Sequence, residues 1–237
     1  MKVQLFIPCF IDQLFPQTAL NTIKILEKAG CSVLYNTSQT CCGQPAYNAG
    51  FWDDSRVVAE KFIKDFDSPE YIVAPGGSCV GFVRNHYEKL FAGNDLAKSK
   101  LLTGIYELTA FLTEVLSMDD LGAVFNGVAT YHDACGALRE CGIKTAPRKM
   151  LSKVKGLQMV ETDDCEVCCG FGGTFAVKFE AISTGMAEQK VHHAIEKGVQ
   201  YIISTDSSCL LHLDGYIKKH GLAIKTVHIA DVLASGW

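Results

Sequence analysis

Along this chain, short runs of apolar residues alternate with longer stretches in which apolar and polar positions recur at helical spacing. VQLFIP (3–8) has the continuous apolar character of a buried strand, and TALNTIKILEKAG (18–30) that of an amphipathic helix closed by Gly30. CSVLYN (31–36) predicts the next strand, followed by a helix over 52–66, a strand YIVAP (71–75) and a helix over 79–91. The order then begins again. GVATYH (127–132), LQMVET (157–162) and YIIST (201–205) predict strands, and helices are expected over 145–155, 180–197 and 208–220. Such alternation predicts an α/β fold with mainly parallel sheets, because a parallel pair needs a crossover long enough to hold a helix.

The second run repeats the first in wording as well as in order. KILEKAGCSVLYNTSQTCCG corresponds to KMLSKVKGLQMVETDDCEVCCG, YIVAPGGSCVGF to YIISTDSSCLLH, and YELTAFLTEVL to VHIADVLASGW. A period of half the chain is too long for a solenoid and implies two pseudo-repeated lobes. The polar, turn-rich stretch SMDDLGAVFNG puts their junction near 117–126, so the lobes are expected at 1–120 and 121–237.

Composition narrows the function classes. Of 237 residues, 48% are hydrophobic and 20% charged, which provides a sizeable core and excludes disorder as the main state. With 22 basic and 26 acidic residues, a net charge of −4 and no basic run, a nucleic-acid partner is not expected. No stretch has the length of a membrane span, and Pro8 and Asp12 interrupt the apolar opening. That opening also lacks the basic flank and cleavage site of a secretion signal, so a cytoplasmic location is expected.

The 11 cysteines then stand out, because structural disulfides are disfavoured in that compartment. Cys9 follows the first expected strand, Cys41 and Cys42 the second, and Cys79 the third. Cys135, the pair Cys168 and Cys169, and Cys209 repeat the arrangement. Each set therefore falls at the carboxyl edge of its sheet, where open α/β sheets bind ligands. Cysteines that merely filled a core would not follow both the duplication and the strand ends. Thiolate-rich sites suit zinc, copper(I) or iron–sulfur clusters. Dispersed ligands that include two adjacent, diverging side chains favour a cluster of several irons; zinc in one lobe is the competing reading. Gly43 and Gly170, Gly172 and Gly173 would let backbone approach sulfur, and Cys79 and Cys209 stand where helices begin. The run GFGG (170–173) does not complete a dinucleotide fingerprint, since Phe175 occupies its last glycine position.

The segments IPCF (7–10), TCCGQPAYNAG (40–50), GGSC (76–79), YHDAC (131–135), CCGFGGTF (168–175) and TDSSCLLH (205–212) resemble the cysteine-rich, or CCG, domain family. That family includes the B subunit of heterodisulfide reductase and the iron–sulfur subunit of glycolate oxidase. The two-repeat chain is most similar to its lactate utilization protein A group. The resemblance covers essentially the whole chain and implies two Rossmann-like lobes with an iron–sulfur cluster in each. The implied ligands are Cys9, Cys41, Cys42 and Cys79 in one lobe and Cys135, Cys168, Cys169 and Cys209 in the other. It also implies an electron-transfer role in L-lactate oxidation beside partner subunits, one of them a ferredoxin-type iron–sulfur protein. Thiol/disulfide redox catalysis of the heterodisulfide reductase kind and a zinc-binding assembly role are the alternatives. The sequence departs from the heterodisulfide reductase pattern: Phe82 and His212 replace the final cysteine of each repeat, and Ala134 and Gly136 replace the Pro and His often found around the cysteine matching Cys135. No ferredoxin-type cysteine run is present, so electrons must be exchanged with another chain.

His132, three before Cys135, and His212, three after Cys209, are candidates to ligate metal or to donate to sulfur; a satisfied, half-buried histidine is the competing reading. The first half has Phe6 and Phe82 there, so any such role belongs to the second lobe. His192 and His193 read as solvated, and His228 as a helix cap. Arg139 and Arg148 could offset cluster charge or be plain surface. Cys31, Cys141 and Cys165 do not recur between the halves and read as small packing residues.

Overall fold

The computed structural model describes residues 1–91 and 100–237. It is α/β, with two four-stranded, all-parallel sheets. The first half runs β1 (Lys2–Leu5), α1 (Cys9–Leu14), α2 (Pro16–Lys28), β2 (Ser32–Tyr35), α3 (Gln44–Asn48), α4 (Trp52–Asp65), β3 (Tyr71–Ala74), α5 (Gly77–Leu90), α6 (Lys100–Gly104) and β4 (Ile105–Glu107). A short α7 (Leu108–Ala110) continues into a π-helical turn, Phe111–Val115. The second half has β5 (Val124–Tyr131), a π-helical turn at Gly136–Glu140, α8 (Thr145–Leu151), β6 (Lys155–Met159), α9 (Phe175–Lys178) and α10 (Glu180–Glu196). It ends with β7 (Tyr201–Ser204), α11 (Ser207–Lys219), β8 (Lys225–His228) and α12 (Ile229–Leu233).

The expected strands and helices all form, most within a few residues of their predicted bounds. The fourth strand of each sheet, β4 and β8, lies outside those expectations. Each runs without a turn into a short helix, β4 into α7 and β8 into α12, so the strand period is hidden in a continuous apolar segment. Strand order is β2-β1-β3-β4 in one sheet and β6-β5-β7-β8 in the other. The chain therefore reverses its direction of winding between β1 and β3, and between β5 and β7. That is where open sheets leave a crevice at their carboxyl edge.

Helix faces follow from spacing. In α2, Thr18, Thr22, Ile25 and Leu26 lie on one buried stripe, Pro16 starts the helix without losing a bond, and Gly30 at φ +80° ends it. In α10 the buried stripe is Ser183, Ala187, Lys190, Val191 and Ala194.

The lobes share a core. One buried cluster joins Val3, Leu5 and Ile25 of the first half to Ala129, Tyr131, Ile203 and Val232 of the second. Helix α12, at the end of the second half, packs on α2 of the first, while α7 packs on α8 of the second. The exchange is reciprocal, so each half completes the other. Between these contacts α5 lies against the π-turn 136–140. A Cβ added at Gly77 would stand 2.7 Å from Ala137 Cα, and one at Gly136 2.7 Å from Ser78 Cα, so the approach requires glycine. No described helix is long and apolar enough to cross a membrane.

Candidate metal centres

Each cysteine set is assembled by three elements. Cys9 opens α1 directly after β1, Cys41 and Cys42 lie in the loop after β2, and Cys79 sits in the first turn of α5. Cys9 Sγ and Cys41 Sγ are 3.9 Å apart. Cys41 in turn contacts Cys42, and Cys42 contacts Cys79. The second lobe repeats the series. Cys135 contacts Cys168, Cys168 contacts Cys169, and Cys169 contacts Cys209. All 11 cysteines are free.

The local backbone explains the clustering. Gly43 and Gly170 adopt φ +93° and +95°, which turns the amide after each pair back toward it. Gly43 N–H donates to Cys41 Sγ and Gly170 N–H to Cys168 Sγ, both at 3.4 Å. A serine braces each turn from the following helix: the Ser55 hydroxyl donates to the Gly43 carbonyl at 3.0 Å and the Ser183 hydroxyl to the Gly170 carbonyl at 2.8 Å. These serines recur between the halves as the cysteines do, a signal that sequence reasoning passed over.

Electrostatics single out the same sulfur twice. Hydrogen bonds from Cys42 and Cys9 hold the Cys41 thiol down at about 3. Those from Cys135 and Cys169 hold Cys168 at about 2. Cys9, Cys42, Cys135 and Cys169 are pushed up, first by their bonds to those thiolates and then by burial. Donors thus converge on one thiolate in each lobe, a state suited to ligating metal.

Behind the cysteines the lobes differ. His132 is buried beside Cys169 and Cys209, and its ring and their two sulfurs offer ligand atoms within 4.8 Å of one another. Neither ring nitrogen has a hydrogen-bond partner, and burial holds the imidazole neutral, down at about 3. His212 is placed differently: its Nε2 lies 3.1 Å from the Ser183 hydroxyl and 3.2 Å from the Ser183 carbonyl, bracing the Gly170 turn. Lys190, which nothing in the sequence marks out, is buried and donates to the Asp164 carbonyl at 2.6 Å.

Arg148 does not face the cysteines. It grips Asp133 through Nη1 and Nη2 at 2.8 and 2.6 Å and also bonds Glu161. Arg139 is exposed. Cys31 lies in the core, and Cys141 is wedged between the lobes, 3.6 Å from the Gly77 carbonyl. Cys165 stands with Asp133 and Glu166. His192 is exposed, as expected, but His193 is not free in solvent: its Nδ1 is 3.1 Å from Asp164 Oδ2, because α10 turns that face toward the buried carboxylate. His228 does cap a helix, accepting from Ala230 N–H at 3.1 Å.

The two sites meet at the seam between lobes. Phe10, next to Cys9, packs edge-on against Phe171, two residues past Cys169, with ring centroids 5.5 Å apart. Ser78, next to Cys79, donates through both N–H and hydroxyl to Asp206 of the other lobe. Glu107 and His228, at matching positions in the two repeats, both reach Thr205: Glu107 accepts from its hydroxyl, and His228 Nε2 lies 3.0 Å from its carbonyl.

The sequence pattern of the cysteine-rich (CCG) domain matches residues 3–84 and 129–214, one match for each lobe. Over the whole length the chain is 42% identical to lactate utilization protein A of Geobacillus sp. (strain WCH70), covering 99% of this chain and 100% of that one. This chain belongs to the cysteine-rich (CCG) domain family, in its lactate utilization protein A group. A second relative in that group, lactate utilization protein A 1 of Bacillus mycoides, is 43% identical over 98% of this chain and 96% of its own length. Among solved structures, a hypothetical protein from Helicobacter pylori superposes with a TM-score of 0.61 at 13% identity, over all of this chain and 49% of that one. That likeness concerns the fold. The CCG matches stop short of the last strand of each lobe: β4 and β8 lie beyond them, and these are the strands that carry Glu107 and His228.

Proposed function

We propose that this chain is the iron–sulfur electron-transfer subunit of an L-lactate-oxidising complex, with one cluster in each lobe. The observation that carries the reading is that, in both lobes, four sulfurs distant in sequence meet at the sheet's carboxyl edge. The residues present fit such a group. Each set offers four thiols, two of them adjacent and diverging, which suits several irons better than a single ion. Relatives that match across the full chain are named for lactate utilization, and the proposed substrate is taken from those names.

When bound, an iron–sulfur cluster supplies the one-electron steps that divide a two-electron oxidation. The chain's own residues set the conditions. Cys9, Cys41, Cys42 and Cys79, and Cys135, Cys168, Cys169 and Cys209, would hold the clusters. Gly43 and Gly170 N–H groups donate to sulfur and so favour the more negative, reduced state. Burial of Cys42, Cys169 and Cys209 keeps water from those sulfurs. The Phe10–Phe171 contact and the Ser78–Asp206 bonds hold the two sites side by side.

Protein purified without oxygen should contain iron and acid-labile sulfide, and its visible absorption should bleach when lactate and the partner subunits are added. Zinc without sulfide would overturn the reading. Turnover of a disulfide by the isolated chain would replace it with thiol/disulfide catalysis.

A further inference from the structure

The second lobe contains a buried histidine for which the fold gives no internal use. His132 follows β5 at the position that Phe6 occupies after β1, and it is 1% exposed. Phe6 is accounted for by aromatic neighbours, with Phe62 at 4.8 Å and Phe66 at 5.6 Å between centroids. Their counterparts beside His132 are Lys190 and Ala194, which offer no such stack. Both ring nitrogens of His132 are without hydrogen bonds, although buried polar atoms are almost always paired. The atoms nearest in function are two sulfurs: His132, Cys169 and Cys209 present ligand atoms within 4.8 Å of one another, and all three residues are buried.

We propose that His132, Cys169 and Cys209 form a mixed imidazole–thiolate ligand set, present in the second lobe alone, for a thiophilic first-row metal: an iron of the cluster, or zinc. The proposal rests on the reading that the cysteine sets hold metal, and adds that the two lobes hold it differently. The donor types agree, since imidazole and thiolate together suit iron and zinc. The surroundings agree as well. The backbone of Cys165 comes close to the ring without making a hydrogen bond of normal geometry, and it stands ready to accept from the nitrogen that does not ligate. Both lobes carry four such cysteines, and His132 stands where the first lobe has Phe6, so the imidazole adds a neutral donor to the second set rather than replacing a thiolate. His212 has no part in this set, because Ser183 holds its Nε2.

The test uses the whole chain, loaded without oxygen with iron and sulfide and, in a separate arm, stripped of metal and titrated with cobalt(II) or zinc. X-ray absorption at the edge of the bound metal should show a nitrogen donor with imidazole outer-shell scattering, and pulsed EPR of the reduced iron protein should show nitrogen coupling. Both should vanish in His132→Ala and persist in His212→Ala. The cobalt dissociation constant of the second lobe should rise about 10–100-fold in His132→Ala. A sulfur-only shell in the wild type, or signals unchanged in His132→Ala, would overturn the proposal. If His132→Ala and His132→Gln both fail to fold, wild-type protein with isotope-labelled histidine decides: coupling that does not respond to the label overturns it. A chain that takes zinc but no iron and sulfide ends the electron-transfer reading, while the zinc edge still judges this one.

Discussion

The two lobes share topology and cysteine placement, yet the walls behind their cysteines are built from opposite materials. In the first lobe Phe6, Phe62, Phe66 and Tyr87 form a continuous aromatic cluster, with Phe62 and Phe66 centroids 4.6 Å apart and the Tyr87 ring edge-on to Phe62 at 5.7 Å. The Tyr87 hydroxyl donates to the Cys42 carbonyl at 2.8 Å, tying that wall to the site. In the second lobe the corresponding space holds His132, Lys190 and Asp164. Lys190 Nζ lies 3.8 Å from Asp164 Oδ2, and burial pulls its pKa down. An aromatic wall contributes through buried area and ring contacts. A buried polar wall costs desolvation and is a poor route to stability. The duplicated scaffold thus keeps its sulfurs fixed, while the layer behind them is free to set a different electrostatic environment for each site.

Emptying one site at a time should have the greatest consequence. Cys42→Ser should abolish metal binding in the first lobe and leave the second loaded, while Cys169→Ser should do the reverse. Metal analysis should thus find half the wild-type content in each, and wild-type content in Cys31→Ser, which alters only the core. Equal loss from both lobes in either variant would contradict two separate sites.

Next come the walls. Phe62→Ala should cost about 3–5 kcal/mol of stability, the usual penalty for truncating a buried aromatic residue. The double replacement Lys190→Met with Asp164→Leu should cost less than either single change in chemical denaturation, because it removes both buried charges together, even though His193 then loses its carboxylate partner. A loss as large as that of Phe62→Ala would mean that the polar wall carries the fold.

Glu107 accepts from the Thr109 and Ala110 N–H groups at the start of α7 as His228 does from Ala230 at the start of α12, and these matched caps should give opposite pH signatures. Burial raises the Glu107 carboxyl above its ordinary 4.5, so the folded chain holds a proton that the unfolded chain releases. Its contribution is complete below about 4.5 and is lost as pH rises toward the folded value. Burial lowers His228 below its ordinary 6.5, so its contribution is complete above about 6.5 and is lost as pH falls. Glu107→Gln should therefore remove the decline in stability that begins above about 4.5, and His228→Gln the decline that begins below about 6.5, as read by thermal unfolding across pH.

The exchanged helices offer the mildest perturbation. Asp231 of α12 accepts from the Thr18 hydroxyl at 2.8 Å and from Asn21 Nδ2 at 2.9 Å, whereas its counterpart in α7 is the apolar Ala110. Asp231→Asn should cost about 1 kcal/mol in chemical denaturation, the net worth of one hydrogen bond. Thr109→Ser beside Ala110 keeps the hydroxyl that bonds Glu107 but removes a fully buried methyl, and should cost about as much.

The duplication, the α/β class and the grouping of the cysteines are all legible in the order of residues. Each depends on local periodicity or on strand ends, and repetition doubles every signal. Cys9, Cys41, Cys42 and Cys79 can be grouped because parallel topology carries every strand's carboxyl end to one edge. What surrounds those sulfurs is settled by packing instead. Lys190 reads as a surface residue of a charged helix until α10 is seen turning it inward onto Asp164. His132 and His212 look alike at three residues from a cysteine, yet one is left unpartnered beside two sulfurs and the other is held by Ser183. Helices α7 and α12 can be matched to each other as words but not placed across the seam. Periodicity reports which face of an element is buried; it does not report against which partner, because that depends on contacts between residues such as Thr18 and Asp231 that lie far apart along the chain.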